Sequence, residues 1–248
     1  MKKLTIFFLA VLSIITSHAQ QLEGIITYEY KQNYAKIIQR LPYLSQEEKD
    51  RVKMSWGNEE GKQKMKLIFN PDESLYTYFS DQGQSEDGQW SWRQSDFLVE
   101  RNFKNETITE LHEMLGNTFV VQDSLHIPKW KILNQLKDIA GHVCMKAEME
   151  EPAKKQKLIA WFADDIPVSI GPERSFGLPG AILELDVNDG DVVVTATTIE
   201  FKKLTNELAL PKKMKGKKIN EAGYNRVIQE HIKDSITAHR NPYWALRY

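Results

Sequence analysis

Residues 157–199, KLIAWFADDIPVSIGPERSFGLPGAILELDVNDGDVVVTATTI, decide the fold of this chain. Apolar and β-branched runs at both ends of the stretch predict strands, and Asn188-Asp189-Gly190 supplies hairpin turn chemistry between residues 182–187 and 192–201. The segment SIGPERSFGLPGAILEL, residues 169–185, separates this hairpin from the first strand. No Gly-Lys-Ser/Thr follows its glycines, which excludes a phosphate-binding P-loop. We predict a stiff loop at the rim of a β-sheet, and call residues 170–180 the GP loop.

The GP loop also carries a resemblance to a known family. The run Gly177-Leu178-Pro179-Gly180-Ala181-Ile182 resembles the hallmark hexapeptide of the GLPGLI family of small exported bacterial proteins, with Ala181 where the family name has Leu. The other residues that carry the resemblance are Trp161, Ile166, Pro167, Gly171, Pro172, Phe176 and the segment Ala140-Gly141-His142-Val143-Cys144. It covers residues 138–200 and implies kinship and export, because the family has no established activity.

Outside this stretch, alternating apolar residues predict further antiparallel strands within residues 23–30, 63–70, 74–80, 99–125, 130–136 and 138–148. Ser45 and Glu48 form a capping-box pattern that predicts a helix over residues 46–56, with Val52 and Trp56 turned inward. Asn220 is expected to cap a second helix over residues 220–238. The predicted fold is mainly β (α+β): a curved antiparallel sheet or partial barrel with two helices packed against it, resembling lipoprotein-carrier-like half-barrels.

The first residues have the pattern of a secretory signal peptide. Lys2 and Lys3 precede an apolar run too short to span a bilayer, and Ser17-His18-Ala19 offers a cleavage site. We expect residues 1–19 to be removed and residues 20–248 to form a single GLPGLI-type domain, not membrane-spanning, in the periplasm or at the outer-membrane periphery. Without the two lysines, 33 − 2 = 31 basic residues face 34 acidic ones, which does not favour nucleic-acid binding.

Two groups of residues are predicted to form a ligand or partner surface. Trp90 and Trp92 lie two residues apart and share one face of a strand; a core position is the other interpretation. The GP-loop members of the surface are Gly171, Pro172, Phe176, Gly177, Leu178, Pro179 and Gly180. Gly177 and Gly180 are expected to need conformations that a Cβ forbids. Glu173 and Arg174 are interpreted as surface residues whose substitution changes stability by no more than about 0.5 kcal/mol.

Cys144 and His142 are the weak catalytic candidates. Cys144 is the only cysteine, so the chain has no intramolecular disulfide. His142 lies two residues away on the same predicted strand face, where it could activate a thiol, but no orienting group or oxyanion site is evident. A buried structural cysteine, a redox thiol and a nucleophile all stay open.

Two further groups are weighed against simpler explanations. Soft-metal donors suited to copper or zinc occur at His142, Cys144, Met145, Met149, His112 and Met114, but alternation turns Met145 away from the first two. Asp164, Asp165, Asp186, Asp189 and Asp191 match no calcium loop and suit turn chemistry. We predict no metal site and no cofactor.

Together these observations predict an exported, non-catalytic binding or interaction protein of the cell envelope. It would hold an apolar small molecule or bind an outer-membrane or other envelope protein. The alternatives are a thiol-dependent or hydrolytic periplasmic enzyme that uses Cys144 and His142, and a copper or zinc carrier.

Overall fold

The computed structural model describes residues 22–57, 60–84, 89 and 91–248. The predicted signal peptide and Trp90 lie outside the described residues, as do the side chains of Trp56 and Trp92. Among the described helices, none combines the length and the apolar character needed to cross a membrane.

One sheet of twelve strands dominates the described chain. In spatial order it comprises β14 (Lys217–Ile219), β8 (Asn117–Ser124), β7 (Thr107–Met114), β6 (Phe97–Asn102), β3 (Glu73–Tyr78), β2 (Glu60–Phe69), β1 (Gly24–Asn33), β13 (Val192–Phe201), β12 (Ala181–Val187), β11 (Gln156–Ala163), β10 (His142–Glu151) and β9 (Lys131–Ile139). Neighbouring strands are antiparallel except β14 and β8. The strands β4 (Gln82–Gln84) and β5 (Ser91–Arg93) form a separate pair.

The prediction of a mainly β fold is confirmed. The sheet is open and does not close into a barrel, because β14 and β9 are its two edges. The predicted hairpin at Asn188-Asp189-Gly190 forms between β12 and β13, and all three residues have positive φ. The strand predicted over residues 138–148 is interrupted, since Ala140 (φ 52°) and Gly141 (φ 83°) make the turn between β9 and β10.

Three α-helices accompany the sheet in the described chain: α1 (Tyr34–Gln39), α2 (Gln46–Trp56) and α3 (Glu221–Thr237). The capping box of Ser45 and Glu48 starts α2, as predicted, and Asn220 caps α3. The helix α3 packs on β8, whereas α2 lies against α1 with Val52 partly buried. A 3₁₀ turn, Pro242–Trp244, leads into the C-terminal tail.

Both faces of the sheet bury apolar side chains. The face that carries Tyr76, Phe97 and Val99, here called the inner face, holds the main apolar core and receives the GP loop. The opposite, outer face carries Leu75 and Leu98, which pack with side chains of the segment that follows β13: Leu204, Leu208, Leu210 and Met214. Since side chains alternate along a strand, Arg101 of β6 and both Glu110 and His112 of β7 project from the inner face. The inner face is therefore apolar in the middle and charged toward β7.

Candidate functional site

The GP loop folds onto the inner face. Phe176 and Leu178 are buried, and so are Gly171, Pro172 and Gly180, whereas Pro179 is exposed. The amide of Ile182 donates to Ile170 O (2.9 Å), and the Trp130 indole donates to Phe176 O (2.7 Å). The buried members of this loop fill space between the loop and the sheet, and their predicted role as a ligand or partner surface stays a prediction.

Two glycines make this path possible. Gly177 has φ +92°, a conformation that disfavours any side chain, and a Cβ there would meet Ile127 and Pro128. Gly180 lies so close to the end of strand β11 that a Cβ would overlap the carbonyl oxygen of Ala163. The expectation that both positions forbid a Cβ is confirmed, for different reasons.

Glu173 is paired at the centre of the inner face. Its Oε1 lies 2.7 Å from Arg247 Nη2, and its Oε2 accepts from Arg247 Nε at 2.7 Å. The Tyr76 hydroxyl donates to Oε1 at 3.0 Å. Burial alone would lower the pKa of Arg247, but Glu173 reverses this effect and raises it well above its usual range. Interpreting Glu173 as a surface residue was wrong, because its side chain is only 15% exposed.

Arg174 is also engaged, on the β7 side of the loop. Its guanidinium contacts Glu110 (3.1 Å), Glu221 (3.0 Å) and Asn225 (2.9 Å), and the same Glu110 contacts His112 Nε2 at 3.0 Å. Burial alone would raise the pKa of Glu110, but Arg174 and the hydrogen bond from His112 outweigh it and hold the pKa well below its usual range. Interpreting Arg174 as a surface residue was therefore wrong too.

The C-terminal tail crosses the same face. The Arg247 guanidinium lies over the rings of Phe97 (4.1 Å) and Tyr30 (4.4 Å). The Tyr248 hydroxyl donates to the buried carboxylate of Asp191 at 2.6 Å, and Arg40 pairs with the same carboxylate. Cation–π contacts and buried charge-assisted hydrogen bonds thus hold the tail onto the sheet.

A cavity of about 820 Å³ opens beside this tail, and we call it the tail cavity. Seven of its lining residues are aromatic: Tyr30, Tyr34, Tyr78, Phe97, Tyr224, Trp244 and Tyr248. The lining also contains many polar and charged residues, among them the Glu173–Arg247 pair, Lys154 and Gln156. Burial lowers the pKa of Lys154 to about 8, and its ammonium donates to Arg247 O at 3.0 Å. Aromatic surfaces and polar or charged groups therefore share the lining of this cavity.

Gln156 is the polar group of this cavity that is left unsatisfied. Its side chain is 3% exposed, and its Nε2 has no hydrogen-bond partner within the described chain. A buried amide without an acceptor is costly, so an oxygen atom supplied inside the cavity would stabilise it.

Sequence reasoning did not identify Arg101, Lys154, Gln156 or Arg247 as site residues. The signal for Arg101 was present, since it continues the alternation of Phe97 and Val99 and a charge at a core-facing position needs a partner. Nothing local marks Arg247, whose carboxylate partner is 74 residues away.

Cys144 and His142 are not arranged as a catalytic pair. Cys144 is 0% exposed in the main core, and burial raises the pKa of its thiol to about 12. The thiol donates weakly to the main-chain oxygen of His142 (3.5 Å), while the imidazole Nδ1 contacts Asp165 at 2.7 Å. Of the three roles left open for Cys144, this geometry favours the structural one.

The thiol of Cys144 is expected to resist modification in the native protein. A disulfide-forming thiol reagent at pH 8 should label it only after unfolding, because the neutral, buried thiol is a poor nucleophile. Cys144→Ala should cost about 1 kcal/mol and leave the fold intact. Labelling of the folded chain as fast as that of a free thiol would contradict this prediction.

The soft-metal donors are divided between distant strands of the sheet. His112 and Met114 lie on β7, where His112 stacks on Tyr224, whereas His142 and Cys144 lie on β10. Within residues 22–57, 60–84, 89 and 91–248, no three His, Cys, Asp or Glu side chains are grouped to hold a metal ion.

The acidic residues have structural partners. Asp186 accepts from the amide of Gly190 at 2.6 Å inside the β12–β13 turn, Asp165 contacts His142, and Asp191 pairs with Arg40 and Tyr248. Turn chemistry thus accounts for Asp186, while Asp191 holds the tail.

The comparisons with known proteins agree with the sequence resemblance. Residues 148–184 match the family model described as "Protein of unknown function (Porph_ging)", which is the GLPGLI family domain. The match is partial and covers 37 of the 248 residues. It includes the strand β11 and the whole GP loop, which folds onto the inner face. No curated protein matches the chain significantly in sequence.

Two solved structures of PNGF-II, in the P21 and C2 space groups, have a similar fold. They superpose with TM-scores of 0.53 and 0.54 at 17% and 18% identity, and each match covers 83% of this chain. The chain spans about a third of the length of PNGF-II, 33% and 32% of the two structures. At this identity the similarity concerns the fold alone.

Proposed function

We propose that this GLPGLI-family chain is an exported, non-catalytic binding protein that holds a small organic molecule in the tail cavity. The observation that carries the proposal is the cavity itself. Its volume of about 820 Å³ lies within the range of natural ligand sites, and the ion pair of Glu173 and Arg247 fixes one of its walls. Because these groups are already paired, the cavity can receive a ligand without reorganisation.

The lining favours an amphipathic ligand over a purely apolar one. Aromatic rings offer apolar area and stacking surfaces at low entropic cost. Gln156 Nε2 offers a donor for an oxygen atom, and Lys154, whose pKa burial lowers to about 8, lies on the same lining. The ligand is thus an organic molecule with an apolar or aromatic body and at least one oxygen acceptor.

The non-catalytic part of the proposal is supported by the state of the candidate groups. The Cys144 thiol is neutral and buried, and Glu173 is neutralised by Arg247.

Export is supported by the signal-peptide pattern of residues 1–19. Binding to an outer-membrane or other envelope protein is compatible with a filled tail cavity. Intact-mass analysis of the envelope form should show a chain that begins near Gln20.

The proposal predicts that the protein purified from the envelope carries a small molecule. Native mass spectrometry should show an adduct near one equivalent, released on denaturation. Ala245→Trp, at a partly exposed lining position on the tail, should block the cavity, and Gln156→Leu should remove the unpaired donor. Each variant should reduce the fraction of protein that carries the adduct at least about tenfold. The first loses access to the site, and the second loses one buried polar contact.

Glu230→Trp is the matched control, because Glu230 is exposed on α3 and does not line the cavity. It should retain the adduct. A wild-type protein without any bound molecule, or an Ala245→Trp variant that binds as well as Glu230→Trp, would rule out this cavity as the site.

A further inference from the structure

A second cavity, of about 350 Å³, lies on the other side of the GP loop, and we call it the loop cavity. Arg101, Arg174 and Phe176 line its inner part, and Lys129 and His126 line its exposed rim. It is separate from the amphipathic site proposed above, although Arg174 borders both cavities.

Arg101 is the unusual residue of this cavity. Its side chain is 1% exposed, its guanidinium lies 4.6 Å from the centre of the Phe176 ring, and Nη2 donates to the main-chain oxygen of Glu173 at 3.0 Å. The other terminal nitrogen, Nη1, has no hydrogen-bond partner in the described part of the chain. A buried cation therefore presents unpaired N–H groups, which is a costly arrangement unless an acceptor binds there.

The acidic residues of the lining do not supply that acceptor. Glu110 is engaged by Arg174 and His112, and Glu221 by Arg174 and His126. The two oxygens of Glu151 accept the amides of Ala153 and Lys154. Each of these carboxylates is held in a contact with another donor, and Glu150 lies exposed at the rim.

Burial opposes the charge of Arg101. It lowers the pKa of the guanidinium to about 10, and the like charge of Arg174 acts in the same direction, against the opposing effects of Glu110, Glu221 and Glu100. The guanidinium stays charged at neutral pH. A further negative group beside Nη1 would offset the cost of burying this cation.

We propose that the loop cavity is a second binding site, which takes a small oxyanion group, a carboxylate or a phosphate, on Arg101 Nη1. A planar guanidinium donates to either group with similar geometry, so the two share one chemistry. Lys129 at the rim attracts the anion, and Phe176 holds the guanidinium in place from behind.

The test is isothermal titration calorimetry of the full-length mature protein with phosphate, sulfate and acetate, at constant ionic strength with chloride as the reference anion. Binding of one equivalent of phosphate or sulfate but not acetate identifies a phosphate-type site, and the reverse identifies a carboxylate site. Either result supports the proposal. Heats for all three anions equal to those of chloride would overturn it.

Arg101→Lys keeps the charge but loses the guanidinium, and Arg101→Gln loses both. Each should weaken the preferred anion at least about tenfold, as expected for a lost charge-assisted hydrogen bond. Lys129→Gln should weaken it less, while Lys131→Gln, a nearby exposed lysine outside the lining, should not change it. Unchanged affinity in a folded Arg101→Lys variant would contradict the assignment.

If the Arg101 variants do not fold, crystals of the wild-type protein soaked in selenate decide the question. Anomalous density of selenium within hydrogen-bond distance of Arg101 Nη1 supports the site. Only a water molecule at Nη1 in crystals soaked with selenate and with acetate overturns it.

Discussion

Gly180→Ala is expected to destabilise the protein by about 3 kcal/mol or more. The added methyl group would overlap the carbonyl oxygen of Ala163, which belongs to β11 and cannot move without disturbing that strand. The amide of the next residue, Ala181, donates to Ile166 O at 3.0 Å, so the loop is held at this point as well. Because neither backbone can yield cheaply, the clash should appear as lost stability.

The measurement is urea unfolding of the wild-type and variant proteins, followed by tryptophan fluorescence. Gly116→Ala is the control, because Gly116 has φ +71° but open space around it. Gly116→Ala should lower the free energy of unfolding by about 1–2 kcal/mol, the cost of backbone strain alone. If Gly180→Ala were no more destabilising than Gly116→Ala, close approach to Ala163 would not explain the glycine.

Much of the fold could be predicted because its signals are local. Alternation, turn residues and caps each act over a few neighbours, so the β12–β13 hairpin, the capping box at Ser45 and the cap of α3 at Asn220 follow from short patterns. The break at Ala140-Gly141 was missed because alternation continues across it by chance. Ala140 has positive φ there, which its residue type does not announce.

The candidate site was less predictable because long-range pairing creates it. A Glu-Arg dipeptide in a glycine-rich loop has the composition of a solvated turn. Folding the loop onto the inner face brings Glu173 to Arg247 and Arg174 to Glu110, separations of 74 and 64 residues. No local pattern carries that information. The clue that does exist is the set of charged residues at core-facing positions, Arg101 and Glu110, which demanded partners from elsewhere in the chain.

The GP loop consequently divides the inner face into two chemical environments. Glu173 turns toward the tail cavity, where aromatic rings dominate, and Phe176 turns toward the loop cavity, where Arg101 has an unpaired donor. The glycines, prolines and Phe176 that carry the family resemblance therefore chiefly position the GP loop. The two charged residues of the loop, Glu173 and Arg174, line the cavities.

Glu173→Ala is expected to cost about 3 kcal/mol, in contrast to the small effect expected for a surface residue. The substitution leaves Arg247 buried against Tyr30 and Phe97 without its carboxylate, and it removes the acceptor of the Tyr76 hydroxyl. A buried charge without a partner costs more free energy than an intact ion pair contributes to stability. Glu173→Ala should therefore destabilise the protein by more than the net contribution of the Glu173–Arg247 pair.

A double-mutant cycle with Arg247→Met separates these effects. The double variant should recover part of the loss, because no charge is then left unpaired, and a coupling energy of at least about 1 kcal/mol is expected for residues in direct contact. The exposed pair of Lys131 and Glu148, at 2.9 Å, provides the control, and its cycle should show much weaker coupling because water screens both groups. Equal coupling in the two cycles, or a Glu173→Ala variant as stable as the wild type, would mean that the Glu173–Arg247 pair does not hold the GP loop and the tail together.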